Sequence, residues 1–216
     1  MKIALTGGIA CGKSLLSKFL NELGVETLDA DDVVHEIIPD PDERRRIAAE
    51  VFADPEKRKA LEAKIHPIVK ERIDEWFVQP AGSDPAGETE GSDPMVAHSH
   101  TGPVSPHAKN PYNPYNPYNP SICQSVNLKI AVIPLLFEVH WEKNFDIISS
   151  VVSKRESQID RMVTTRLMTR AEAEARLAAQ LPVEEKAKRS HYVIHNDGSP
   201  EELKAKAFVD WLRAKS

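Results

Sequence analysis

Near the start of the chain stands Gly7-Gly8-Ile9-Ala10-Cys11-Gly12-Lys13-Ser14, which reads Gly-x-x-x-x-Gly-Lys-Ser. Each residue type has a use in holding a tail of phosphates. Gly7, Gly8 and Gly12 permit a tight turn that brings backbone N–H groups against phosphate oxygens. Lys13 adds a full positive charge for the β- and γ-phosphates, and the Ser14 hydroxyl suits Mg2+. A helix opening near Lys13 points its positive end at the same place. The plainer reading is a glycine-rich turn before an ordinary helix. The flanks favour the phosphate reading: Lys2 to Thr6 is a short apolar run, and Leu15, Leu16, Phe19, Leu20 and Leu23 follow at helical spacing. Strand, loop, helix is the setting this motif requires.

A second group lies at Asp29-Ala30-Asp31-Asp32, after the strand pattern Val25 to Leu28. Transfer of a phosphoryl group to a hydroxyl needs a carboxylate that accepts or orients the proton. Asp29 and Asp31 alternate at a strand end and so can share a side. Asp31 is the chosen base, with Asp29 supporting it or acting through the metal. The competing role for Asp31 is to cap the helix after it.

These groups need elements to hold them. Gly24 closes the first helix, Val33 to Ile38 form a second capped by Asp31 or Asp32, and Pro39 and Pro41 break it. Residues 42–52 and about 55–77 read as helices, the latter restarting or kinking at His66-Pro67. From Val78 to about Asn127 the texture is Gly, Pro, Ser, Asp, Asn and His, with a tandem Asn-Pro-Tyr repeat over 110–120. That predicts a solvated insertion, in which His98, His100 and His107 are incidental. Strand patterns return at 128–133, 147–152 and 191–194. Helices are expected over 156–167, 171–179 and 200–215. Alternating strands and helices predict an α/β fold with a central parallel sheet covered on both faces. Ligands in such sheets bind beyond the carboxyl ends of the strands. The phosphate loop, Asp29 to Asp31 one strand away, Pro134 to Glu138 and Asn196 all gather on that rim.

Composition sets outer limits. With 216 residues, 41% of them hydrophobic, the chain can bury one real core with an appendage. A net charge of -5 gives no basic field for nucleic acid or anionic membrane. Cys11 and Cys123 are too few for a disulfide framework, no run is long and apolar enough to span a bilayer, and the start reads as a strand rather than a leader. The expectation is a cytoplasmic protein with a small-molecule partner; its oligomeric state is open. Cys11, at a helix start beside Lys13, is expected to have a lowered thiol pKa and to lose phosphate binding when alkylated.

The blocks Thr6-Gly7-Gly8-Ile9, Gly12-Lys13-Ser14, Leu28-Asp29-Ala30-Asp31 with His35, His66-Pro67, and Ile133 to Glu138 with Trp141 resemble dephospho-CoA kinases. So do Gln180, Glu185-Lys186, and Tyr192-Val193-Ile194 with Asn196 and Gly198. The resemblance implies a P-loop NTPase-like three-layer fold: a nucleotide core of residues 1–38 and 128–216, a lid at about 165–182, and a helical acceptor region at 39–77. It implies transfer of the γ-phosphate of ATP to the ribose 3′-hydroxyl of dephospho-CoA, with Mg2+. Asp31 then stands at the catalytic position. Gly8, Ala10, Cys11, Gly12, Lys13, Ser14 and Leu15 would hold the nucleotide, with Asn196 near the adenine. His66 would contact the acceptor, Glu138 would position metal or water near the phosphates, and Arg166 would belong to the lid.

The pattern also departs from that family. Leu15 replaces a threonine, Ala10-Cys11 replace Gly-Ser, the stretch between Ile38 and Arg44 is short, and Thr165 falls where an arginine is expected. Arg161, Arg166, Arg170 and Arg176 are either a solvated face or phosphoryl clamps. The other readings are a different P-loop small-molecule kinase and a nucleotide-binding protein without catalysis. A guanine-nucleotide switch is disfavoured, because Asn-Lys-x-Asp is absent.

Overall fold

The computed structural model describes residues 1–80 and 128–204. Residues 81–127 of the expected insertion, its three histidines and Cys123, and the closing helix beyond residue 204 lie outside the described residues. Among the described residues, five strands form one all-parallel sheet: β1 (Ile3–Gly7), β2 (Glu26–Asp29), β3 (Lys129–Val132), β4 (Ile147–Val152) and β5 (Tyr192–His195). Their order is β2-β3-β1-β4-β5.

The strands alternate between two cores. Ile3, Leu5, Ile130 and Val132 face one side and pack on Leu16, Phe19 and Leu20 of α1 (Lys13–Glu22). Ala4, Ala131 and Ile148 face the other. There they meet Val33 of α2 (Ala30–Ile37), Val69 and Ile73 of α4 (Pro55–Val78), and Phe137 of the turn after β3. With both faces covered, β1 and β3 are buried along their whole length, which is why Ile3 to Leu5 and Ile130 to Val132 read as apolar without alternation. A third helix, α3 (Pro41–Ala53), lies between α2 and α4 in the chain. After β4 come α5 (Arg155–Arg166), α6 (Arg170–Ala178) and α7 (Val183–Lys188), and residues 200–204 are helical. No helix among the described residues is long and apolar enough to cross a membrane.

Three expectations need correction. First, α4 does not restart at His66-Pro67; it runs through Pro67 as one helix. The carbonyl that loses its partner belongs to exposed Ala63, where water can replace the missing N–H. The far end of α4 is fastened instead: buried Lys129 donates to the carbonyls of Trp76 (2.7 Å) and Gln79 (2.8 Å). Second, β2 is not next to β1, because β3 lies between them. The chain leaves β1 toward β2 and later crosses to β4, so the loops after β1 and β3 flank a crevice at the carboxyl edge. Third, α7 was not expected; Val-Glu-Glu-Lys-Ala-Lys carries too little apolar periodicity to announce a helix.

Candidate active site

The loop after β1 ends at Gly12, the N-cap of α1, with φ of 95°. A side chain there would be strained, and its Cβ would sit 2.3 Å from the Asn196 amide nitrogen. Gly8 is equally confined: a Cβ would lie 2.6 Å from Gln158 Nε2. Lys13 is half-buried, and its Nζ donates to the carbonyls of Gly7 (3.1 Å) and Gly8 (3.0 Å). Burial pulls its pKa below the ordinary lysine value. Ser14 is exposed on the first turn, and Leu15 packs against the α1 core.

Cys11 contradicts the expected low thiol pKa. It is fully buried, and burial pushes the thiol up despite the nearby Lys13 charge. Desolvation outweighs the helix start and the lysine because no water reaches the sulfur.

The carboxylates are arranged differently from expectation. Asp29 caps α2 and accepts the Asp31 N–H at 3.0 Å; neither Asp31 nor Asp32 is the cap. Asp31 lies in the first turn of α2, so strand alternation does not place it; the cap does. The two features do share one side. β1 and β2 run parallel in one sheet, so both features lie at its carboxyl edge, where the charges of Asp31 and Asp29 favour the Lys13 ammonium. Burial raises the Asp29 pKa, against the lowering pull of the Asp31 N–H.

A cleft of about 720 Å³, bordered by Lys18 and Glu22, is lined by Ser14 and Ser17 of α1 together with Thr27 and Asp29 of β2 and Asp32. These are hard oxygen donors in an open, acidic cleft, a set that fits Mg2+. Among the described residues no three His, Cys, Asp or Glu side chains converge as a closed metal cage.

A model of the dephospho-CoA kinase family matches residues 1–45 and 120–202, more than half of the chain. The chain belongs to the dephospho-CoA kinase family. A dephospho-CoA kinase of Synechococcus sp. (strain JA-3-3Ab) is 35% identical, covering 94% of this chain and 88% of that protein. One of Geobacter sulfurreducens is 30% identical over 98% and 97%, so the likeness runs nearly end to end. Among solved structures, TT1252 from Thermus thermophilus superposes with a TM-score of 0.68 at 27% identity, covering 100% of this chain and 98% of that one. A shikimate kinase from Acinetobacter baumannii in complex with shikimate shares the fold, at a TM-score of 0.56 and 17% identity over 99% and 94%. The central parallel sheet and these neighbours establish the P-loop kinase fold.

Within this family the matched stretches carry the loop and the carboxylates, whereas His66-Pro67 falls outside them. His66 is half-buried on α4 and meets Trp141 edge-on, ring centroids 5.7 Å apart. Glu138 follows β3 and pairs with fully buried Lys186 at 2.8 Å. The same Glu138 oxygen accepts the Leu181 N–H at 3.1 Å, while Oε2 is enclosed without a partner among the described residues. Lys186 also donates to the Pro134 carbonyl at 2.8 Å. Gln180 accepts the Ile9 N–H at 3.1 Å, joining the segment after α6 to the phosphate loop. Of the four arginines, Arg161 is half-buried and donates to the Ala10 carbonyl of the loop, and Arg170 pairs with Glu156 and Glu174. Arg166 and Arg176 are exposed on α5 and α6. Asn196 is buried, its amide donating to the Cys11 carbonyl at 2.8 Å. Sequence reading missed Gln158, which is 2% exposed and touches the loop. Its one signal is the Gln-x-x-Arg spacing on α5, which puts Gln158 and Arg161 on one face.

Proposed function

We propose that the chain transfers the γ-phosphoryl group of ATP to the ribose 3′-hydroxyl of dephospho-CoA, giving coenzyme A and ADP. The observation that carries this reading is that the phosphate loop and the Asp29 to Asp31 turn lie at the same carboxyl edge of one parallel sheet, in a member of the dephospho-CoA kinase family. The loop from Gly8 to Leu15 holds the phosphates through backbone N–H groups. Lys13 leaves the Gly7 and Gly8 carbonyls to pair with the β- and γ-oxygens. Asp31 accepts the 3′-hydroxyl proton as that oxygen bonds to phosphorus and the bond to the β-phosphate oxygen breaks. Ser14, with Asp29 acting directly or through water, would hold Mg2+, which supplies charge neutralisation between the β- and γ-phosphates.

The remaining assignments follow the same reading. Residues 1–38 and 128–216 form the nucleotide core, 39–77 the acceptor region and about 165–182 the lid. His66 faces the acceptor, Arg166 meets the transferring group on lid closure, and Glu138 orders the metal's water. Asn196 lies beside the adenine end of the nucleotide. Closure excludes water, which would otherwise accept the phosphoryl group. The substrates and the redox setting suit the cytoplasm.

The test is incubation with Mg2+-ATP and dephospho-CoA, with mass detection of product. Gain of one phosphate on dephospho-CoA, with shikimate and nucleoside monophosphates left unphosphorylated, supports the reading. No product, or product on those alternative acceptors, overturns it.

A further inference from the structure

We propose that Gln158, Arg161 and Asn196 are positioning residues that hold the phosphate loop in its binding shape before nucleotide arrives. The inference rests on the nucleotide reading above. Three consecutive loop carbonyls are each fastened by a different side chain. Ile9 accepts from Gln158 Nε2 at 2.8 Å, Ala10 from Arg161 Nη1 at 3.1 Å, and Cys11 from Asn196 Nδ2 at 2.8 Å. In a trans peptide the C=O and the following N–H point in opposite directions. Pinning these carbonyls outward therefore turns the N–H groups of Ala10 and Gly12 to the far side, away from the clamp. The Cys11 N–H closes the turn on the Gly8 carbonyl at 3.3 Å.

The clamp is built rather than incidental. Gln158 and Asn196 are 2% and 5% exposed. Arg161 also donates to Ser153 Oγ (2.9 Å) and to the Asn196 carbonyl (2.7 Å), which Ser153 binds as well at 2.7 Å. Ala10 sits at φ of 57°, a conformation that an alanine keeps only when its surroundings hold it. Gly8 and Gly12 are the positions where a Cβ would strike Gln158 and Asn196. Both glycines thus make room for the clamp on one side of the loop as well as for phosphate on the other. Losing one fastening does two kinds of harm. A freed peptide can rotate, which withdraws an N–H from the cradle and presents a carbonyl oxygen to a phosphate oxygen.

Gln158→Met and Asn196→Leu remove the amide donors with little change of shape. Both are made in a Cys123→Ser background, so that buried Cys11, itself 2.9 Å from Gln158 Nε2, reports loop opening by its alkylation rate. Each variant should weaken binding of a non-hydrolysable ATP analogue about tenfold, the effect of one lost buried hydrogen bond. Cys11 labelling without nucleotide should accelerate about tenfold at temperatures far below unfolding, and KM for the acceptor should change less than twofold. Val69→Ala, a core change on α4 remote from the loop, serves as the stability control. The proposal is overturned if analogue affinity and labelling match the parent chain. It is equally overturned if Val69→Ala, at the same loss of melting temperature, reproduces both effects. If the parent chain bound no analogue, the nucleotide reading would fall, and the labelling rates alone would decide the clamp.

Discussion

Asp29 accepts the backbone N–H of Asp31 at 3.0 Å, so the residue that ends β2 also sets where the proposed base stands. The cap can be separated from the charge. Asn caps as well as Asp, whereas Ala does not. Asp29→Ala should cost about 1 kcal/mol of stability and lower kcat, while Asp29→Asn should keep the cap and avoid that loss. Thermal unfolding and steady-state rates on the same two proteins check this.

The raised Asp29 pKa has a defined sign. The folded state holds the proton more tightly than the unfolded chain, because burial penalises the carboxylate. The stabilisation from this group is complete below the ordinary value of 3.8 and is lost as pH rises through the higher folded value. Asp29→Asn should remove that decline. Melting curves of parent and variant across this range should converge at the acid end and separate at the upper end, with the variant the more stable there.

Lys13 carries the opposite shift. Burial favours its neutral form, so a charged Lys13 at neutral pH is a cost to the nucleotide-free protein. That cost is relieved above the ordinary lysine value and returns as pH falls through the depressed folded value. Lys13→Met should therefore leave the melting temperature unchanged or raised while lowering kcat/KM about 10²–10³-fold, as losing one transition-state charge contact does. Calorimetry alongside turnover measurement reads both.

Glu138 and Lys186 should behave as a unit. Lys186 is fully buried, but the Glu138 side chain keeps 23% exposure. Lys186→Met should cost about 2 kcal/mol, less than the ~3–5 kcal/mol of breaking a fully buried pair, because the Glu138 side chain is only partly buried and its Oε1 keeps the Leu181 N–H. Adding Glu138→Leu should recover part of the loss. A double-mutant cycle by chemical denaturation measures the coupling.

The core of this fold was legible because β1 and β3 are buried on both faces and α1 shows its stripe of Leu16, Phe19 and Leu20. The phosphate loop was legible because its chemistry is local. What was hidden depends on distant partners. Neither the passage of α4 through Pro67 nor the burial of Cys11 is written in neighbouring residues: the first depends on which face meets solvent, the second on Gln158, 147 positions away. Arg161 read as one of four arginines on a solvated face or clamping the phosphoryl group, and only packing brings it to the Ala10 carbonyl of the loop. The cap at Asp29 lay within sequence reach, but a run of three aspartates in four residues offers several caps, and backbone geometry chooses among them.

The most direct test of the account is Asp31→Asn, read for turnover and nucleotide affinity on the same preparation. Asp31 is exposed at the first turn of α2, so the change should leave folding intact. The account predicts that conversion of dephospho-CoA falls about 10²–10⁴-fold, the range for loss of a positioned base, while the ATP analogue binds within about threefold of the parent. Turnover within a few-fold of the parent chain would contradict it, because the proton would then have another acceptor.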